Sequence, residues 1–247
     1  MVKFYESTFA YDYSFPAVTL AYFLRYPNPY STHVLSTDVI SRSIDAAGRL
    51  HTLRVHRKSS RLPSAVLKLL PQSVLGNISG GRSESYILET STIDVNEGWM
   101  RTESKNLDWT GILSVVEKQE YRRHVPVDEG DDFSVGAGTT GVVTTVMFKS
   151  RLGDRLRARA TRKGEAAAAE DGEEPKKGFL ASWSTSGIQR SIEAIASRKT
   201  ENQLGKSKEG MKVVLERLRH GGLVGVLEGM RKDREMAFGR EGVWKNA

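Results

Sequence analysis

The sequence predicts an α+β fold: a curved antiparallel sheet of about seven strands, closed by one long C-terminal helix. Three observations predict it. Residues 1–148 carry period-2 alternation in several successive windows joined by short turns, and short links join antiparallel neighbours. A single apolar helical segment interrupts that rhythm early, at 15–25. From Trp183 the period changes to that of a long helix.

Residues 2–13 alternate as a strand, with Phe4, Phe9, Tyr11 and Tyr13 available to pack. The first helix follows at 15–25, with Ser14 as N-cap, Pro16 in the tolerant first turn, and Pro27 as its stop. Strands at 31–45 and 49–58 flank the tight turn "DAAG". The apolar, proline-bracketed stretch 62–81 breaks the strand rhythm as a loop or short helix. Strands at 85–95, 99–107 and 110–124 follow, linked by "NEG" and "DWTG", and a last long strand spans 133–148. The segment 149–182 turns first basic, with seven basic residues against Asp154 over 149–163, and then acidic and low-complexity; it reads as a solvated insertion. The long helix runs to about 219, where "HGG" ends it through its glycines, and 223–247 forms a tail with a short apolar run.

With 247 residues the chain has room for one large domain with extensions. A mean hydropathy of −0.42 and the lack of any long apolar run predict no transmembrane helix. The start has neither a secretory h-region nor an Arg/Ser-rich presequence, so entry into an organelle is expected without a cleaved address. There are no cysteines, which excludes disulfides, Cys-ligated zinc and a thiol nucleophile. A net charge of +7 favours anionic partners: nucleic acid, anionic lipid surfaces or phosphate-bearing ligands.

The long helix carries an unusual stripe. Ile188, Ile192 and Ile195 share one face, and the same period then meets Lys199, Gln203, Lys206 and Gly210 before Val213 or Val214. Either the helix rolls out of the core here, or the lysines face a polar cavity, or they snorkel with their heads in water. Arg25 ends the first helix, and Pro27 and Pro29 stiffen the turn after it. Arg54, His56 and Lys58 share one strand face, a pattern that most often marks a solvated face.

Motifs for catalysis are absent. The five histidines show no metal spacing, and no HExxH, Walker A, GxGxxG or GxSxG stretch occurs. "GAGTTG" (136–141) sits inside a strand pattern and lacks the lysine of a phosphate loop. A non-enzymatic, cavity-forming binder fits a curved sheet closed by a helix better than an enzyme does.

The stretches "RYPNPYSTHVLSTDVISR" (25–42), "RKSSRLP" (57–63) and "NLDWTGIL" (106–113), with the "GI…E…K…K…GM" skeleton of 187–211, resemble the PRELI/MSF1 family of mitochondrial intermembrane-space phospholipid-transfer proteins. The resemblance covers 1–148 and 183–220 as one lipid-binding domain and leaves out the 149–182 insertion and the 221–247 tail. It implies a seven-stranded sheet and helices around an apolar lipid cavity, no cofactor, and shuttling of one phospholipid between membranes. The wording is most similar to the phosphatidic-acid branch, with the phosphatidylserine branch as neighbour. Carried over by position, the headgroup-binding residues fall on Arg25, His33, Lys58, Arg61, Lys199, Gln203 and Lys206, with Gln203 where the family usually has asparagine and Arg61 where lysine is common. A lid whose Leu62, Val66, Leu67, Leu69 and Leu70 touch the membrane is expected, as is a small twin-CX9C helical-hairpin partner. The alternatives are a phosphatidylserine carrier, a non-transferring lipid sensor, hydrolysis of a bound lipid, and nucleic-acid binding through 149–163.

Overall fold

The structure, a computed structural model, describes residues 2–61, 78–79, 82–108, 110, 113–124, 138–150 and 185–239; for 185–201 it describes the helical backbone alone. Its strands are β1 (Val2–Tyr11), β2 (Val34–Ile44), β3 (Leu50–Arg61), β4 (Ile78–Ser79), β5 (Arg82–Asp94), β6 (Trp99–Asn106), β7 (Leu113–Arg123) and β8 (Thr140–Ser150). The helices are α1 (Phe15–Phe23) and α2 (Thr185–Phe238). The α+β class and the antiparallel sheet of seven principal strands are as the sequence predicts. Their order is β1-β8-β7-β6-β5-β3-β2, with the two-residue β4 paired to β5. Every pairing is antiparallel, so the first strand closes against the last. The insertion 149–182 lies almost wholly outside the described residues, as do the lid residues Leu62, Val66, Leu67, Leu69 and Leu70.

Register organises the inner face into rungs, because alternate residues of each strand point the same way. The lowest rung is apolar: Leu50, Ile93, Met100, Tyr121, Val142 and Phe9 are successive cross-strand partners. One step up, the partners are Thr52, Ser91, Thr102, Gln119, Thr144 and Ser7, a polar belt across six strands. The next rung runs Arg54, Glu89, Ser104, Glu117, Val146 and Tyr5. The expected apolar cavity is therefore corrected for the part of the wall described: it is apolar at the floor and polar or charged above it.

The floor is covered by α1 and α2. Phe15, Ala17, Val18, Ala21 and Tyr22 of α1 pack with Met211, Val214, Leu215, Leu218 and Val226 of α2 and with the apolar rung in one buried cluster. Pro16 sits in the first turn of α1 as read, but Ser14 makes no capping bond; its hydroxyl is buried. The helix ends at Phe23 and the chain turns through a cis Tyr26–Pro27 peptide. Asn28 clamps the turn: its amide donates to the Arg25 carbonyl and its Oδ1 accepts the Tyr30 N–H at 2.9 Å.

The glycine signal at 220–222 marks a real break, since Gly222 has φ 57° and ψ −154°, a region open to glycine. The helix resumes at once, however, and the second limb packs back on the first. Val226 is fully buried, and Asp233 receives two bonds from Arg217 at 2.6 and 3.1 Å. Gly229 permits this approach, because a Cβ there would meet Arg217 Nε at 2.5 Å. Residues 223–238 are thus a helical limb docked on the first.

Candidate functional site

Arg25 does not wander at the end of α1: it is buried and bound. Its Nη2 donates to Glu89 Oε2 at 2.6 Å. Arg54 donates from Nε to Glu89 Oε1 at 2.9 Å, adds a second shorter bond from Nη2, and reaches the Phe23 carbonyl at 3.2 Å with Nη1. His56 Nε2 lies 3.1 Å from Glu89 Oε2, and its Nδ1 lies 2.9 Å from Thr37 Oγ1. Aromatic faces complete the setting: the Arg25 guanidinium lies over Tyr22 at 4.0 Å and Tyr26 at 4.9 Å, and that of Arg54 over Phe23 at 4.7 Å.

The electrostatics follow from this packing. Burial alone would raise the Glu89 carboxyl, but the Arg25 charge, the His56 bond and Arg54 outweigh it and hold Glu89 ionised well below the usual carboxylate range. Burial lowers His56, helped by the two arginines and opposed by Glu89. A neutral His56 donating from Nε2 to Glu89 and accepting the Thr37 hydroxyl at Nδ1 satisfies both contacts. Two guanidiniums then share the one Glu89 carboxylate. Arg25 Nε, Thr52 Oγ1 and Ser91 Oγ are buried without a hydrogen-bond partner among the described residues. Glu117, on the same rung as Glu89, accepts a bond from Gln119 at 2.9 Å; burial pushes its carboxyl up, against the pull of Arg25 and Lys58.

The sequence-derived site residues divide. Arg25 is in the cluster. Lys58 is partly buried on the inner face of β3, two residues beyond His56. His33 lies just before β2, and its carbonyl accepts the Ser59 N–H at 2.8 Å, which ties it to the same end of β3. Arg61 ends β3, and Lys199 lies on the α2 backbone; the side chains of both are outside the described residues. Gln203 and Lys206 are exposed, so the stripe meets water at these two positions and lies off the packed face. The helix is held by Met211, Val214, Leu215 and Leu218, a face turned by about 110° from the one extrapolated from the isoleucines. Arg54 and His56 correct a second reading: their strand face is not solvated but 2% exposed at each residue.

Glu89 and Glu117 escaped the sequence reading. The available signal was Glu89 in phase with Ile87 and Ile93, a carboxylate on the apolar side of a strand. On the outer face, Arg101, Glu103, Lys118 and Glu120 line a shallow hollow of about 420 Å³, but its charges pair across strands (Arg101–Glu120 at 3.6 Å, Lys118–Glu103 at 3.3 Å).

Above an apolar floor the curved antiparallel sheet therefore holds two buried guanidiniums, an imidazole and a carboxylate in one cluster. Residues 16–131 match the family model described as PRELI-like. The chain is 41% identical over 122 residues to Protein UPS1, mitochondrial, of Saccharomyces cerevisiae, covering 49% of this chain and 65% of that protein. It is 41% identical over 116 residues to the ups1 homolog of Schizosaccharomyces pombe (47% and 60% covered). It is 32% identical over 122 residues to PRELI domain-containing protein 1, mitochondrial, of Bos taurus (49% and 52% covered). The chain spans less than two thirds of the length of these relatives. Among solved structures, the Zhui aromatase/cyclase of Streptomyces sp. R1128 aligns over 90% of this chain and 99% of its own, at 13% identity and a TM-score of 0.43, a likeness that carries no argument.

Proposed function

We propose that this chain is a non-enzymatic phospholipid carrier that moves phosphatidic acid between the outer and inner mitochondrial membranes, in support of cardiolipin synthesis. One observation carries the reading: Arg25, a buried cation that shares Glu89 with Arg54, keeps its Nε without a hydrogen-bond partner among the described residues, beside the equally unpartnered Thr52 Oγ1 and Ser91 Oγ. Such a charge is costly without a counter-ion, and a lipid phosphate entering over the polar belt would supply one. Lys58 and His33, at the open end of the same strands, extend the cationic path, with Arg61, Lys199 and Lys206 as further candidates. Gln203 would offer an amide. The mitochondrial relatives support the compartment, and the intermembrane space is the expected address within it. A small twin-CX9C helical-hairpin protein is the proposed partner. The apolar floor is filled by the side chains of α1, α2 and the lowest rung, so the acyl chains would lie above it.

The test is transfer of labelled phosphatidic acid and phosphatidylserine between vesicles by the purified chain with its small partner. Lys58→Glu is the first variant, since Lys58 is partly exposed and its loss leaves the Glu89 cluster intact. Selective transfer of phosphatidic acid, reduced about tenfold or more in the variant, is expected. Equal transfer by both proteins refutes the headgroup role of the cationic path, and preference for phosphatidylserine moves the chain to the neighbouring branch.

A further inference from the structure

The second limb of α2 presents a face that the fold does not use. Its inward side is Gly225, Val226, Gly229 and Asp233, held against Arg217 and the core. About 130° around the helix, Leu223, Leu227, Arg231 and Arg234 recur at i, i+4, i+8 and i+11, with Val224 beside them. Leu223, Val224 and Leu227 are 51%, 67% and 50% exposed. They cluster at the tip of the hairpin, directly after the Gly222 break, with exposed Arg219 and His220 on the other limb. An apolar tip followed by arginines on one face is the pattern of a helix that lies in a lipid interface, with its apolar residues below the headgroups and its guanidiniums among the phosphates. Exposed Glu228, one turn after Val224, stands beside exposed Lys232 at i+4, and the other acids are engaged. Asp233 is committed to Arg217, Glu216 takes bonds from Tyr13 and His220, and Glu235 stands at the edge of the face, 4.0 Å from Arg231. No helix among the described residues is long and apolar enough to cross a membrane, so the tip docks on a surface and does not span it.

We infer that the hairpin tip at Leu223, Val224 and Leu227, with Arg231 and Arg234, is a docking surface for anionic bilayers, separate from the Glu89 cluster.

The chain has no cysteine, so Val224→Cys gives a single attachment point for an environment-sensitive fluorophore. The full chain so labelled is mixed with phosphatidylcholine vesicles with and without cardiolipin, and bound protein is measured by co-sedimentation. Expected is a blue-shifted, brighter emission with the anionic vesicles only. A second variant, Leu223→Ser with Leu227→Ser, changes exposed residues and preserves the fold; its bound fraction falls about fivefold or more. A label that stays in a water-like environment while the protein sediments overturns the inference, because another surface then makes the contact. An emission change without vesicles that grows with protein concentration also overturns it, in favour of a second copy. Loss of lipid transfer with an intact Val224 response refutes the carrier reading and leaves this surface standing.

Discussion

Arg25 was legible in the sequence as a held cation; what holds it was not. Two prolines and a helix end predict a fixed guanidinium, yet the group that fixes it is Glu89, 64 residues away across the sheet. No local pattern pairs those positions; only the β3–β5 register brings Arg54, and with it Arg25, onto Glu89. Glu89→Gln leaves two buried guanidiniums without a counter-charge and is expected to destabilise the fold by about 3–5 kcal/mol, read from urea unfolding. The pH dependence has a definite sign. Glu89 is depressed in the fold, so its stabilisation is present above its unfolded pKa of about 4.3 and lost as pH falls below it. His56 is likewise lowered, so the neutral fold binds fewer protons than the unfolded chain below about pH 6.5, and stability falls on acidification from there. Glu117 has the opposite sign, because its raised carboxyl costs stability as pH rises through the folded value. Glu117→Gln should therefore raise the urea midpoint at pH 7 and leave it unchanged at pH 4, and a drop at pH 7 alone would show that the carboxylate is needed ionised.

At the scale of elements, strands were read well because alternation is a local property, and the helix face was read badly because it is not. The strand windows match β1, β2, β3, β5, β6 and β7 to within a few residues. The helix stripe was extrapolated from Ile188, Ile192 and Ile195 across Gly205 and Gly210, but which side of α2 turns inward is decided by α1, through Phe15, Val18 and Tyr22. Gly210 belongs to that contact, as the Asn28 amide would lie 2.8 Å from a Cβ there. The hairpin at Gly222 rests on a similar close approach. Gly229→Ala forces Arg217 aside and should cost about 1–2 kcal/mol in thermal or urea unfolding. If the cost comes from the strained Arg217–Asp233 pair, it shrinks in an Asp233→Asn background; a cost that stays the same in both backgrounds assigns it to the backbone approach instead.

For the whole molecule, the segment that carries the site and the segment that stabilises it are different pieces of chain. Residues 16–131 include Arg25, Arg54, His56, Glu89 and Glu117, every member of the charged cluster. They omit β1, β8 and α2, and with them Phe9, Tyr11, Val142, Met211, Val214, Leu215, Leu218 and Val226 of the core. Without these, β7 has an open edge, the apolar rung loses its last two members, and α1 has no helix to pack on. A buried ion cluster needs that dry floor, since exposure to water removes the reason for its pairing. The isolated 16–131 segment should therefore show no cooperative urea transition, whereas a chain ending at Gly221, which loses Val226, Met230 and the Arg217–Asp233 pair, should unfold cooperatively with a lower midpoint. A sharp transition in 16–131 alone would mean that the charged cluster is self-sufficient, and that β1, β8 and α2 serve the ligand and not the fold.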